Sequence, residues 1–106
     1  MTIYTLLTLI AIIETTQPAT VDSIGPLRIT KEIVYELPNF SLESRNDNQT
    51  NIIIGMLFLK NTVNPKSRLL TDREINKGLN AWVKIKGYDV KQFKLKYVKA
   101  KMRYSK

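Results

Sequence analysis

From the first residues the chain alternates apolar and polar positions at helical spacing. Ile3, Leu6, Leu7, Ile10 and Ile13 share one face, Leu9 and Ile12 broaden it, and Thr2 ahead of them can cap the helix. This predicts a helix buried nearly all round that closes on a single carboxylate, Glu14, before Gln17-Pro18 ends it. A polar stretch, Ala19 to Ser23, leads to the turn pair Gly25-Pro26 and then to Leu27-Arg28-Ile29. Thr30 can cap a short helix with Ile33, Val34 and Leu37 on one side, which must stop before Pro38.

Residues 39–49 are poor in apolar side chains and read as the most exposed loop. Thr50 or Asn51 can start a third helix, with Ile52 to Ile54, Met56, Leu57 and Leu59 as a second largely buried element ahead of Asn64-Pro65. Ile52-Ile53-Ile54 alone fits a strand, but the length of the apolar run favours helix. Thr71-Asp72-Arg73-Glu74 has capping-box spacing and predicts a helix with Ile75, Leu79, Trp82 and Val83 on one stripe and a stop at Gly87. Asp89 can cap a last helix in which Val90, Phe93, Tyr97, Ala100 and Tyr104 repeat at i+3 and i+4. Val98 and Met102 widen that face, and Lys91, Lys94, Lys99 and Lys101 lie largely off it. The expectation is an all-α fold, one small domain over 1–106 with five or six helices around one core.

The composition supports an ordinary globular chain: 106 residues, 43% hydrophobic and 25% charged. The first apolar run has no basic residue ahead of it and no small-x-small cleavage pattern, and it falls short of the roughly 20 residues that span a bilayer. A buried core helix is favoured over an uncleaved interfacial or signal segment, and no transmembrane span is expected. With neither cysteine nor histidine, thiol nucleophiles, histidine bases and zinc sites are excluded, and no metal or cofactor is expected. Any chemistry falls to carboxylates, hydroxyls, Lys or Arg.

Charge is unevenly spread. Residues 1–57 carry three basic and six acidic side chains, whereas 58–106 carry fourteen basic and three acidic. The cationic half suits a polyanion, whether nucleic acid, an anionic membrane or an acidic cell-wall polymer.

Four short motifs follow one another: Glu14 at the end of the apolar helix, Gly25-Pro26-Leu27-Arg28-Ile29, Asn76-Lys77-Gly78, and the Tyr97-Val98 start of the segment that runs to Tyr104. Their order and spacing resemble the lysozyme-like soluble lytic transglycosylases, in particular short phage-type members. That resemblance implies a lysozyme-like helical fold that cleaves peptidoglycan, placed at the bacterial cell wall or periplasm or in a phage virion. Glu14 would be the general acid and base: it protonates the glycosidic oxygen, then accepts the proton of the muramic acid 6-hydroxyl as that oxygen attacks the anomeric carbon, so that no second carboxylate is needed. The resemblance further implies that Asn76 bonds the sugar or its amide, Gly78 leaves room for the strand, and Tyr97 packs or bonds at the site.

Arg28 occupies the substrate-side position where the family has Gln, and Thr15 stands where it has Ser. A guanidinium beside Glu14 would favour its ionised form and oppose the acid role. The alternative expectation is therefore a basic binding or structural protein, either a virion component or a subunit of a nucleic-acid assembly, using the lysine-rich C-terminal helix.

Overall fold

The computed structural model describes residues 1–104 and holds five α-helices and one 3-10 helix among them. Helix α1, Ile3–Glu14, is capped by the Thr2 hydroxyl, which accepts from the Thr5 amide at 3.2 Å. It runs through the centre of the molecule, with Leu6, Leu9, Ile10 and Ile13 almost wholly out of solvent. Helix α2, Lys31–Tyr35, buries Ile33 and Val34. Thr30 precedes it in the extended conformation of a cap, but its hydroxyl makes no cap bond and is instead buried without a partner.

The segment read as a loop at 39–49 is partly ordered by its own polar side chains. Leu42–Asn46 forms the 3-10 helix, closed by a reciprocal capping box between Ser41 and Ser44. Helix α3, Asn48–Val63, starts before Thr50 because Asp47 is the cap: its carboxylate accepts from both the Thr50 amide, 2.9 Å, and the Thr50 hydroxyl, 2.8 Å. At helical spacing Asn51, Ile54, Phe58, Leu59 and Val63 share the inward face, while Ile52 and Ile53, between Asn51 and Ile54, turn to solvent. The expectation that all three isoleucines are buried is corrected accordingly.

Helix α4, Asp72–Lys86, carries the expected capping box and ends on Gly87 at φ +71°. Helix α5, Val90–Tyr104, begins with Asp89 accepting from the Gln92 amide at 3.0 Å. It docks Phe93, Tyr97 and Ala100 into the core alongside α1 and α4. Val98 and Met102, expected to widen that inner face, are exposed. Only a narrow stripe of α5 reaches the core. The architecture is all-α, and no helix among the described residues is long and apolar enough to cross a membrane.

Candidate functional site around Glu14

Glu14 ends α1 fully enclosed, at 0% exposure. The last turn of the helix is closed behind it by hydroxyls that bond back to carbonyls: Thr15 to Ile12 at 2.6 Å and Thr16 to Ile13 at 2.7 Å. Thr15 therefore serves the helix end, while the Glu14 carboxylate turns inward. Its partners come from the far side of the sequence. Trp82 donates its indole N–H to Oε2 at 3.0 Å, Tyr88 donates its hydroxyl to Oε1 at 2.7 Å, and the Lys86 ammonium lies 3.4 Å from Oε1.

Trp82 and Lys86 are four residues apart on α4 and so share a face at its C-terminal end. Trp82 is wedged edge-on against Phe58, ring centres 5.9 Å apart. Tyr88, just past Gly87, stacks on Phe93 of α5 at 5.7 Å. The two rings position the two neutral donors. Lys86 is held between the carboxylate and the backbone: its side chain is 1% exposed, and its ammonium also donates to the Arg28 carbonyl.

That carbonyl belongs to a small hairpin. Ile24 and Ile29 pair antiparallel, and the Arg28 amide donates to the Gly25 carbonyl at 3.0 Å across the turn. Gly25 sits at φ +79°, and a Cβ there would come within 2.3 Å of the Asn51 side-chain nitrogen, so the turn needs glycine on both counts. Asn51, buried in α3, holds the hairpin by accepting from the Leu27 amide at 3.1 Å and donating to the Ile24 carbonyl at 2.7 Å and the Arg45 carbonyl at 2.9 Å. Arg45 of the 3-10 helix ties the other side, donating to the Asp22 and Ile29 carbonyls at 3.0 Å and pairing with the Asp22 carboxylate at 2.8 Å. Arg28 adopts φ +51°, unusual for a side-chain-bearing residue, and one of its guanidinium nitrogens is buried without a partner.

The electrostatics of the cluster follow from burial and from Glu14. Removal from water pushes the Lys86 ammonium below the usual lysine value, and the nearby Arg28 charge adds to this, while the Glu14 carboxylate works the other way. Burial, then the hydrogen bond to Glu14, pushes the Tyr88 hydroxyl far above the usual tyrosine range, so it remains a donor at any ordinary pH.

Of the five residues singled out in the sequence, the structure brings Glu14 and Arg28 to one place through Lys86. Gly78 lies inside α4, where a Cβ would meet Leu6 and Val63 at 3.1 Å; it marks a close helix approach beside Leu6, about 12 Å along α1 from Glu14. Tyr97 points its hydroxyl at the Met1 sulfur, 3.7 Å away, at the opposite end of α1. Burial, then the charge of Asp72, pushes that hydroxyl upward. Asn76 is exposed on α4, ten residues and about 15 Å of helix before Lys86. Among the described residues no group of three or more acidic side chains gathers where a metal ion could be held.

No family model, curated protein or solved structure matches the chain.

Proposed function

We propose that this chain is a small lysozyme-like domain that acts on the glycan strands of peptidoglycan, with Glu14 as acid and base. The observation that carries this reading is the meeting of Glu14, at the end of the buried first helix, with the Gly25–Ile29 turn, both held by Lys86. These are the first two motifs on which the resemblance rests, and they lie together although fourteen residues separate Glu14 from Arg28. In its protonated form Glu14 gives its proton to the glycosidic oxygen as the bond to the anomeric carbon breaks. It then takes the proton of the attacking hydroxyl, which is the sugar's own 6-hydroxyl in a transglycosylase and water in a muramidase.

The enclosed carboxyl has to be uncovered before a glycan can reach it. Its covering donors Lys86 and Tyr88 flank Gly87, which has open space around its Cα, so the α4–α5 corner is the part that must swing away. Arg28, on the adjoining turn, is the substrate-side group of this reading.

A second reading is favoured by one specific observation: both oxygens of Glu14 are already engaged and none of the residue is exposed. On that reading the cluster is a structural clasp in a catalytically silent relative, and the cationic second half holds an anionic polymer in a virion or nucleic-acid assembly.

Release of dye-labelled fragments from purified peptidoglycan by the wild type, Glu14→Gln and Tyr88→Phe separates the two. The enzymatic reading expects release by the wild type, none by Glu14→Gln, and retained or increased release by Tyr88→Phe, which removes one covering bond and leaves the carboxyl in place. A folded wild type without release, which binds peptidoglycan or duplex DNA at low salt, supports the second.

A further inference from the structure

Helix α5 is apolar on two sides, and only one of them is used by the fold. Phe93, Tyr97 and Ala100 are buried, while Leu95, Val98 and Met102 are 63%, 52% and 64% exposed. Positions 95, 98 and 102 follow i, i+3, i+7, so at about 100° per residue they fall within a sector of roughly 60° on the outer surface. They form a continuous stripe over about 10 Å of a helix about 22 Å long.

The charged side chains around this stripe are all cationic. Lys91 continues it by one turn towards the N-terminus of the helix, Lys94 and Lys99 lie immediately beside it on its two sides, and Lys96, Lys101 and Arg103 lie further round; α5 contains no acidic residue. Beyond the Lys99 flank, α5 and the end of α1 form a groove with Ile12, Thr16, Ala100 and Tyr104 in its walls and Lys99 and Arg103 at its edge. Ile12 and Tyr104 add further exposed apolar surface there.

A helix whose role ended at the core would present a polar outer face, with acidic and basic side chains mixed. A nucleic-acid surface would use the lysines but would find no partner for Leu95, Val98 and Met102, because phosphates and sugars offer them little apolar contact. A second copy of the chain is opposed by the net charge of +8 and by the lack of any acid on α5 to pair with its lysines. An anionic bilayer surface meets both requirements at once. Apolar side chains enter the boundary between headgroups and acyl chains, and the long lysine stems reach up to the phosphates.

We propose that the outer face of α5 docks the protein on anionic phospholipid membranes, with the helix lying in the plane of the interface. This uses no residue of the Glu14 cluster and does not depend on the reading of that site.

The test is sedimentation of the full chain with vesicles of phosphatidylcholine alone and of phosphatidylcholine mixed with phosphatidylglycerol. The expected result is binding to the mixed vesicles only, weakened by salt. Leu95→Ser/Val98→Ser/Met102→Ser, which changes exposed positions only and is checked for fold by circular dichroism, is expected to lose at least about tenfold in partitioning, as removal of three inserted apolar side chains requires. Lys91→Gln/Lys94→Gln/Lys99→Gln is expected to lose roughly 100-fold, since each lysine near an anionic surface contributes about a factor of five. Absence of binding to the mixed vesicles overturns the proposal. So does unchanged binding by the folded serine variant, because the attraction would then be charge alone, and duplex DNA binding of equal strength in that variant would mark the face as a general polyanion surface.

Discussion

Replacing Lys86 with Met asks how much the fold depends on the buried charge pair. Both members of the pair are out of solvent, Lys86 at 1% and Glu14 at 0% side-chain exposure, with 3.4 Å between ammonium and carboxylate. Methionine fills a similar volume, so the loss is electrostatic more than one of packing. Glu14 would keep its Trp82 and Tyr88 donors but lose its closest counter-charge, and the Arg28 carbonyl would lose its donor. Breaking a buried pair from one side costs about 3–5 kcal/mol, a large part of the roughly 5–15 kcal/mol that holds a small domain together. At about 4 °C per kcal/mol for a chain of this size, the midpoint should fall by roughly 12–20 °C. Glu14→Gln/Lys86→Met removes both charges, and the cycle should therefore show a coupling of at least about 2 kcal/mol, the double variant being far more stable than the sum of the singles. Urea titration followed by far-ultraviolet circular dichroism and by the fluorescence of the single tryptophan, Trp82, measures all four proteins. A Lys86→Met cost under about 1 kcal/mol, with additive singles, would refute the picture of Lys86 as the buried counter-ion.

Further expectations follow from the hairpin, the corner and the helix crossing. Asn51→Ala strands the Leu27 amide and the Arg45 carbonyl and should cost about 2–4 kcal/mol by denaturant titration; Gly25→Ala, strained at φ +79° and colliding with the same Asn51 side chain, should cost a similar amount. Because Tyr88 holds its proton far above the usual tyrosine value in the folded state, its contribution is complete below pH ~10 and is lost as pH rises beyond it, the unfolded chain releasing the proton first. Lys86, lowered by burial, acts with the opposite sign and favours folding as pH climbs towards that point. Stability measured across this range should thus fall above pH ~10, and Tyr88→Phe should flatten the fall, leaving the smaller part due to Tyr97, which is also raised by burial. Gly78→Ala should destabilise by about 1–3 kcal/mol through contact with Leu6 and Val63, without a specific effect on glycan binding once the protein is folded; selective loss of binding would return Gly78 to the substrate side.

The elements that depend on local chemistry were legible. Thr2, the Thr71–Glu74 box, Gly87 and Asp89 each act within three or four residues of their partners, and each appears in the structure where its spacing places it. The start of α3 was not, because Asp47 and Thr50 are both good caps and only the observed bonds show that Asp47 is the cap and Thr50 its donor. Val98 and Met102 fall beside the inner face by spacing yet are exposed, because periodicity reports that a face is apolar but not that anything covers it.

The Glu14 cluster is the clearest case of distance defeating pattern. Its donors lie 68 to 74 residues away along the chain, and Lys86 reads in sequence as one more solvated lysine at a helix end. The usable signals were Trp82 and Lys86 four residues apart at the end of α4, facing a core that contains one buried acid, and a lone Asn51 beside an apolar run. Asn76, Gly78 and Tyr97 keep the order of the motifs in sequence, but the helices carry them towards other parts of the molecule.

The most direct measurement is mass spectrometry of the soluble products formed from purified peptidoglycan by the wild type and by Glu14→Gln, with circular dichroism confirming that both are folded. Action through Glu14 predicts muropeptides from the wild type, with anhydro ends for a transglycosylase or reducing ends for a muramidase, and none from Glu14→Gln. Products from neither protein, or the same products from both, would contradict it.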